Sequence, residues 1–416
     1  MALQPRTIVR ISLFAVRAAE RTVWLLCEAE DARGGRGLGE ATLAGCELEV
    51  AAHFSARAAS LVRCGSGPIF TDYPASLAES AACSGIGQAI VDLEARREGV
   101  SVAALLGLGE PRSVSVYANI NRGTATRTPE GFARRALEAV ADGFTAIKIA
   151  PFDPLPPDSL DQALRGGALP NGFAAAAARM RAVRKAIGSE VELLVDCHWR
   201  LDAEGAAKLG DEARELGIAW IESPIPESEA NAERLKDLRA HYGACGIELA
   251  GGELLFATDQ FEDWSRRGVL DVLMPDVKYL PTLDLYLRAL AAIRRCGREP
   301  SPHNPTGPVC HAFTWQISVA TPFVQRMEMQ YRETGLFCDL VGVPRDFADS
   351  RWNAGMPVAA GIGFDLQPSI VQRHLIGAIT VGQKGSSGEG IFARLALQDT
   401  ARASIAAASS KSATKP

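Results

Sequence analysis

The sequence predicts a parallel (β/α)7β barrel joined to an α+β domain built mainly from the N-terminal segment. Three observations carry this reading. From about residue 113, short β-rich runs alternate with helical stretches, and eight such runs joined by seven stretches describe a β/α barrel. Each helical stretch ends near a glycine, the residue that most readily stops a helix. The alternative, an open doubly wound sheet, would carry a glycine-rich nucleotide loop after a strand, and the sequence has neither GxGxxG nor a P-loop in such a place.

In order along the chain, "TIVRISLFAV" and "TVWLLCEAE" read as strands and "LAESAACSGIGQAIVDLEAR" as helix, so residues 1–112 form a separate α+β unit. The barrel, 113–344, has the runs "SVSVYANI", "TAIKIA", "VELLVD", "IAWIES", "IELAGGE", "VLMPD", "EPSPHN" and "QRMEMQ". Helical stretches such as "PEGFARRALEAVADG", "AAAAARMRAVRKAIG", "EGAAKLGDEARELG" and "LDLYLRALAAIRRCG" lie between them. The segment 151–172, "PFDPLPPDSLDQALRGGALPNG", is a long loop rich in proline and glycine after the second barrel strand, and loops of that length inside a compact domain are often functional. Residues 345–394 include the turn-rich "GMPVAAGIGFDLQPS", and 395–416 drift into "ASIAAASSKSATKP", a disordered tail.

Bulk properties narrow the function without choosing a chemistry. With 416 residues, 47% hydrophobic and 22% charged, the chain can build one barrel plus a smaller domain. A formal net charge of -5 and no basic stripe argue against nucleic acid as a partner. No stretch approaches the roughly 20 apolar residues of a membrane span, and the N-terminus "MALQPRTIVRISLF" lacks a signal-like apolar segment, so the expected location is cytoplasmic. Nine cysteines without a CxxC pair read as scattered residues of a reducing compartment.

The informative residues are those that end the strands: Lys148, Asp196, Glu222, Glu253, Asp276, His303 and Glu328. In a β/α barrel these ends converge at the C-terminal mouth, where active sites lie. A lone Asp there reads equally well as a helix cap, but three consecutive strands ending in carboxylates do not. Carboxylates brought together repel one another unless a cation neutralises them, and oxygen-only ligands select a hard ion such as Mg²⁺. In "LLVDCHWR", 193–200, a strand continued through His198 would present Asp196 and His198 on one face and Cys197 on the other.

This order and spacing, 26 residues from Asp196 to Glu222 and 27 from Asp276 to His303, resembles the enolase superfamily in its mandelate racemase-like branch, from "GRGLGEATLAG" (35–45) to "GIGFD" (361–365). The resemblance implies that the flanking α+β domain caps the mouth and that residues 345–394 return to it. It also implies a homo-oligomer acting on a small-molecule carboxylate, with Asp196, Glu222 and Glu253 binding Mg²⁺. Glu248 is the rival third ligand, placed at the start of its strand, while Glu253 closes the Gly-Gly-Glu pattern. Lys148 matches the first lysine of the family's KxK pattern, and Ala150 stands where a racemase-like enzyme keeps the second as a base. Leu280 and Pro281 replace the glycines usual after Asp276.

The "DxH" of Asp196 and His198, with "SPHNPTGPV", resembles the acid-sugar dehydratases of this branch, of the galactonate and gluconate type. On that resemblance His303, oriented by Asp276, takes the proton next to the substrate carboxylate, and His198 protonates a departing β-hydroxyl. Lys148 and a protonated Glu328 flank the carboxylate, and the product is a 2-keto-3-deoxy acid. Asn119 and Asn121 are the candidates for binding a polyhydroxy chain. Arg200 reads either as a substrate contact or as a surface pair, and Arg17 and Arg21, in a turn of the capping domain, as contacts for an acidic substrate or as solvated charges. His53, His241, His311 and His374 read as structural or exposed. Two other functions fit: a racemase or epimerase of the same branch, with His198 or another group as second base, and a binding protein on the same scaffold. A cycloisomerase fits less well, because it needs the lysine that Ala150 replaces.

Overall fold

A computed structural model describes residues 7–64, 74–153, 172–342 and 359–393. The sequence expectations for 154–171, most of the proline-rich loop, and for the tail beyond 394 lie outside the described residues. The described residues form two sheets. The smaller is antiparallel and has the order β13-β12-β1-β2-β3. It is built from β1 (Ile8–Ala19), β2 (Thr22–Asp31), β3 (Arg36–Glu40), β12 (Leu375–Gly382) and β13 (Gly385–Gly390). Segments far apart in sequence thus meet in one sheet, with Leu13 opposite Ile379.

Two helices, α1 (Glu47–Cys64) and α2 (Leu77–Glu98), cover this sheet, and their small residues set how closely they pack. A Cβ added at Gly39 of β3 would lie 2.0 Å from the Gly85 carbonyl oxygen of α2, and one at Gly37 would lie 2.1 Å from the Ala89 carbonyl oxygen. Strand and helix therefore touch backbone to backbone, a spacing open only to glycine.

The larger sheet is parallel: β10-β9-β8-β7-β6-β5-β4-β11. Its strands are β4 (Ser115–Asn119), β5 (Ala146–Ile149), β6 (Glu192–Asp196), β7 (Ile218–Glu222), β8 (Glu248–Gly251), β9 (Val272–Leu273), β10 (Glu299–Pro300) and β11 (Arg326–Gln330), with a helix between each consecutive pair. The circle closes where the Glu328 N–H donates to the Pro302 carbonyl at 3.2 Å. β9 and β10 are shorter than their sequence runs because Pro275 and Pro302 have no N–H to give a ladder. The chain nevertheless keeps its course, as His303 N–H donates to Pro275 O and Met274 N–H to Gly251 O.

The barrel is packed inside. Tyr117, Ala146, Leu194, Trp220, Ala250 and Met274 form a buried interior cluster, while the alternate residues Ile147, Val195, Ile221 and Leu249 join the core shared with the surrounding helices. With a two-residue period, the next inward positions toward the mouth are Asn119, Lys148, Asp196, Glu222 and Asp276. No helix among the described residues is long and apolar enough to cross a membrane.

Candidate active site

A cavity of about 350 Å³ opens at the C-terminal end of the barrel, and its wall includes Asn119, Lys148, Asp196, His198, Glu253 and His303. The capping domain contributes Glu20, Arg21 and Thr22 from the turn between β1 and β2. Arg17 donates to the carbonyl of Glu20 and is not in that wall.

Lys148 is buried, and its Nζ reaches Glu222 Oε1 and Oε2 at 3.0 and 2.9 Å and Glu328 Oε1 at 2.8 Å. Burial opposes its charge, but these two carboxylates raise its pKa well above the ordinary lysine value. The same contacts correct the expectation of a protonated Glu328. Against the cost of burial, Lys148 and then His303 bring the Glu328 carboxyl down to about 2, and it accepts hydrogen bonds from Asn119 Nδ2 at 2.6 Å and Asn304 N at 3.0 Å. Glu328 is the anion of the group. The side-chain amide of Asn119 is thereby committed to Glu328, and its Oδ1 to the Asn121 N–H. Asn121 Oδ1 in turn accepts from Arg127 at 2.5 Å.

Asp196 and Glu222 lie side by side on paired strands, and Glu253 follows the end of β8. Burial drives the Glu222 carboxyl well above its usual range; Lys148 opposes this, while Asp196 and Glu253 add to it. Burial, then the charge of Asp196, push Glu253 up to about 8. Such shifts mark a site short of positive charge, and three buried oxygen donors in that condition suit a hard divalent cation. Among the described residues no three His, Cys, Asp or Glu side chains are gathered to hold an ion. Each carboxylate is instead drawn to its own partner: Lys148 for Glu222, His198 Nε2 at 2.8 Å for Asp196, and His303 Nε2 at 3.2 Å for Glu253. The rival ligand Glu248 sits at the opposite end of the barrel, 2.7 Å from the Arg326 guanidinium.

His198 reaches the mouth by a route the strand pattern did not foresee. β6 stops at Asp196, and His198 and Trp199 take φ values of 44° and 56°, the left-handed region that residues with a Cβ rarely enter. The turn is held by the His198 N–H to Asp196 Oδ1 at 2.9 Å and the Trp199 N–H to the Ser223 carbonyl at 2.7 Å. Ser223 itself has φ 45°. Glu227 braces the arrangement, accepting from Trp199 Nε1, from Ser223 Oγ at 2.7 Å and from Gly252 N at 3.4 Å, so one carboxyl ties the ends of β6, β7 and β8. Cys197 faces away, into the core shared with the helices.

Two Asp–His pairs result. His303 Nδ1 lies 2.8 Å from Asp276 Oδ2, and His198 Nδ1 lies 2.6 Å from Asp153 Oδ2. Asp276 is buried, yet Lys278 and His303 hold its carboxyl below the usual range; it accepts at Nδ1, which leaves Nε2 of His303 as the basic nitrogen. Both rings have a carboxylate at each nitrogen, but those of His198 are closer, Asp153 at 2.6 Å and Asp196 at 2.8 Å, while Glu253 lies 3.2 Å from His303 Nε2. Burial opposes a charge on His198, but Asp153 and Asp196 raise its pKa well above the ordinary histidine value. Asp153 was not singled out from the sequence; its place in "PFDPL", beyond a strand end and between prolines, gave no periodic signal. Lys278 was missed too, although its ammonium shares Asp276 Oδ2 with His303 and lines the cavity. Arg200 gives its Nε to Asp153 Oδ1 at 3.3 Å and does not line the cavity, so it belongs behind His198 and not among the substrate contacts. Among the remaining histidines, His311 is buried, bonded to Asn304 at 2.7 Å and lowered by burial to about 3.

A parallel barrel with lysine, carboxylates and two Asp–His pairs at its C-terminal mouth defines a class of barrel suited to acid–base chemistry on carboxylates. The chain belongs to the enolase superfamily: residues 131–370, more than half of it, match the family described as enolase C-terminal domain-like. It is 29% identical over 300 residues to D-gluconate dehydratase of Thermoproteus tenax, an alignment covering 72% of this chain and 57% of that protein. It is 26% identical over 294 residues to D-galactonate dehydratase of Verminephrobacter eiseniae, covering 70% and 72%. The structure is similar to that of a mandelate racemase/muconate lactonizing enzyme from Jannaschia sp. CCS1, with a TM-score of 0.72, 25% identity, and 89% and 97% of the two chains covered.

Proposed function

We propose that this chain is a Mg²⁺-dependent dehydratase of a sugar acid, removing the proton next to the carboxylate and the β-hydroxyl to give a 2-keto-3-deoxy acid. The observation that carries the reading is the difference between the two histidines. His303 is held at Nδ1 by Asp276, and the carboxyl 3.2 Å from its Nε2, Glu253, is pushed up to about 8, whereas His198 lies 2.6 and 2.8 Å from Asp153 and Asp196, which raise its pKa well above the ordinary histidine value. One is built to take a proton and the other to give one, which is what an elimination needs. An epimerase of the racemase-like kind needs a second acid/base group on the opposite face of the α-carbon, and Ala150 stands where the lysine would supply it.

Asp196, Glu222 and Glu253 are the residues that would hold the ion, which supplies Lewis-acid stabilisation of the charge developing on the substrate carboxylate. Lys148 adds a fixed positive charge against the same developing negative charge, held in place by Glu222 and the anionic Glu328. His303 Nε2 takes the α-proton, and Asp276 stabilises the imidazolium that forms. His198 gives its Nε2 proton to the departing hydroxyl, which leaves as water. The enol then returns to a ketone, taking a proton at the carbon that lost the hydroxyl.

The test is to incubate the protein and Mg²⁺ with aldonic, aldaric and uronic acids and detect 2-keto acids. With a substrate in hand, His303→Asn should abolish both α-proton exchange in D₂O and dehydration. His198→Asn should cut dehydration by about 10²–10⁴-fold and spare exchange. An absence of 2-keto acid from the whole panel, or dehydration unchanged in His198→Asn, overturns the reading.

A further inference from the structure

On one side of the mouth cavity, hydrogen-bond donors stand with nothing to give to. Arg122 follows β4 and forms part of the cavity wall. Its Nη1 reaches the Pro305 carbonyl at 3.4 Å and Glu333 Oε2 at 3.9 Å, while Nε and Nη2 have no partner among the described residues. Asn121, next to it in the wall, accepts from Arg127 at Oδ1, which leaves Nδ2 as the unmatched end. Tyr279, in the turn after β9, lines the same cavity with a phenol that has no partner among the described residues. Burial raises the pKa of that phenol, so it keeps its proton and is a donor. None of these donors belongs to the buried unpaired groups, so each keeps accessible surface.

The acceptors nearby do not answer them. Glu333 takes the Thr22 hydroxyl and, at 3.9 Å, is beyond hydrogen-bonding distance of Arg122. Glu20 is exposed on the turn of the capping domain, beside an exposed Arg21. Arg127 is committed to the carbonyls of Asn121, Ala150 and Asp153. What the donors lack is an acceptor with several lone pairs and a negative charge. A carboxylate has both, in a plane that a guanidinium fork meets with two parallel bonds. A hydroxyl has two lone pairs and no charge to set against the guanidinium.

The ring of strands decides which end of a substrate meets Arg122. Asp196, Glu222 and Glu253 stand at or just past the ends of β6, β7 and β8, and β11 lies opposite β7 in the closed ring. The Arg122 guanidinium, between Pro305 after β10 and Glu333 after β11, is on that far side. A molecule whose first carboxylate lies at β6–β8 therefore turns its other end toward Arg122. We propose that the substrate is a sugar diacid, and that Arg122, with Asn121 and Tyr279, binds the carboxylate at its far end. This rests on the dehydratase reading and narrows it to acids with a carboxylate at both ends.

The test compares galactarate, glucarate and mannarate with galactonate, gluconate and mannonate, which carry a hydroxymethyl group in place of the second carboxylate. For the configuration that is turned over, kcat/KM for the diacid should exceed that for the monoacid by about 10–100-fold, the usual worth of hydrogen bonds to a charged group. Arg122→Met should bring that ratio close to one, mainly through the KM of the diacid. Arg122→Lys, which keeps the charge but not the fork, should retain part of it. Calorimetric titration of the Mg²⁺-loaded His303→Asn variant with the same pairs reads the preference without turnover. Dehydration of monoacids and diacids at similar kcat/KM, or a preference for diacids unchanged in Arg122→Met, overturns this proposal and leaves the dehydratase reading standing. Tighter binding of diacids that is lost with Arg122→Met, but with no 2-keto acid formed, supports the assignment of Arg122 and overturns the dehydratase reading instead. Should no pair bind, the proposal is overturned as well.

Discussion

Asp153 and Asp276 each hold the Nδ1 of a histidine, but they set the two rings to different tasks. Asp153 is buried, and despite that burial His198 and then Arg200 keep its carboxyl below the usual range. It is therefore a permanent anion that fixes the orientation and charge of His198. Asp153→Asn should lower kcat for dehydration by about 10–100-fold, as outer-shell carboxylates do, while α-proton exchange in D₂O, followed by NMR, changes much less. A variant that loses exchange and dehydration equally would make Asp153 merely structural. With Ala150 in place of a second lysine, the substrate should be accepted in a single configuration at carbon 2, since the opposite epimer turns its proton away from His303 Nε2. Comparing kcat/KM for the two epimers checks this, and comparable values would point to a second base. Lys148, Asp196 and Glu222 were legible in the sequence because a two-residue period carries inward-facing positions to the end of each strand. Asp153 and Lys278 lie past the strand ends, in turns with no period, and only the folded chain brings them to the histidines. The charge of Glu328 was equally hidden, because it depends on where the Lys148 ammonium settles.

Where strands give way to turns, backbone strain has collected. His198, Trp199 and Ser223 all have positive φ, at a typical cost of about 1–3 kcal/mol each, and Glu227 is the group that touches the turns after β6, β7 and β8. Glu227→Ala should lower the melting temperature and weaken Mg²⁺ binding by about 10–100-fold, measured calorimetrically; unchanged Mg²⁺ affinity would separate the brace from the carboxylates. Elsewhere the tightest contact is β3 against α2. Gly39→Ala would place a Cβ 2.0 Å from a backbone oxygen, and overpacking of that kind costs about 1–3 kcal/mol, readable as a shift of the urea midpoint. Strand positions were legible from apolar runs bounded by turn residues, whereas the curtailed β9 and β10 reflect prolines whose effect on pairing depends on which neighbour needs the N–H.

Across the whole molecule, pH should act on the metal-free protein in a definite direction. Glu253 rises from 4.5 to about 8 on folding, so between those values the native state holds a proton that the unfolded chain has released, and stability falls as pH rises. His198, raised above 6.5, contributes stability that is full below that value and is lost as pH climbs through its folded pKa, which has the same sign. Glu328, lowered to about 2, works the other way, its contribution being lost as pH falls from 4.5 through 2. The melting temperature without divalent ions should therefore decline between pH 5 and pH 8.5, and Glu253→Gln should remove much of the slope. Added Mg²⁺ should restore stability at the upper end, since a ligand that binds only the native state stabilises it by mass action. A flat profile with and without Mg²⁺ would count against the three carboxylates as an ion site.

The place of β12 between β1 and β13 has a consequence for synthesis. Residues 8–19 leave the ribosome early, but the strand that flanks them on that side, 375–382, is among the last described parts of the chain to be made. Until then β1 presents an unpaired edge in a chain whose barrel sequence is already long, and such edges are templates for joining the wrong strand. The capping sheet is thus the last layer to be completed, and slow or truncated translation should appear first as insoluble protein retaining barrel-like helicity.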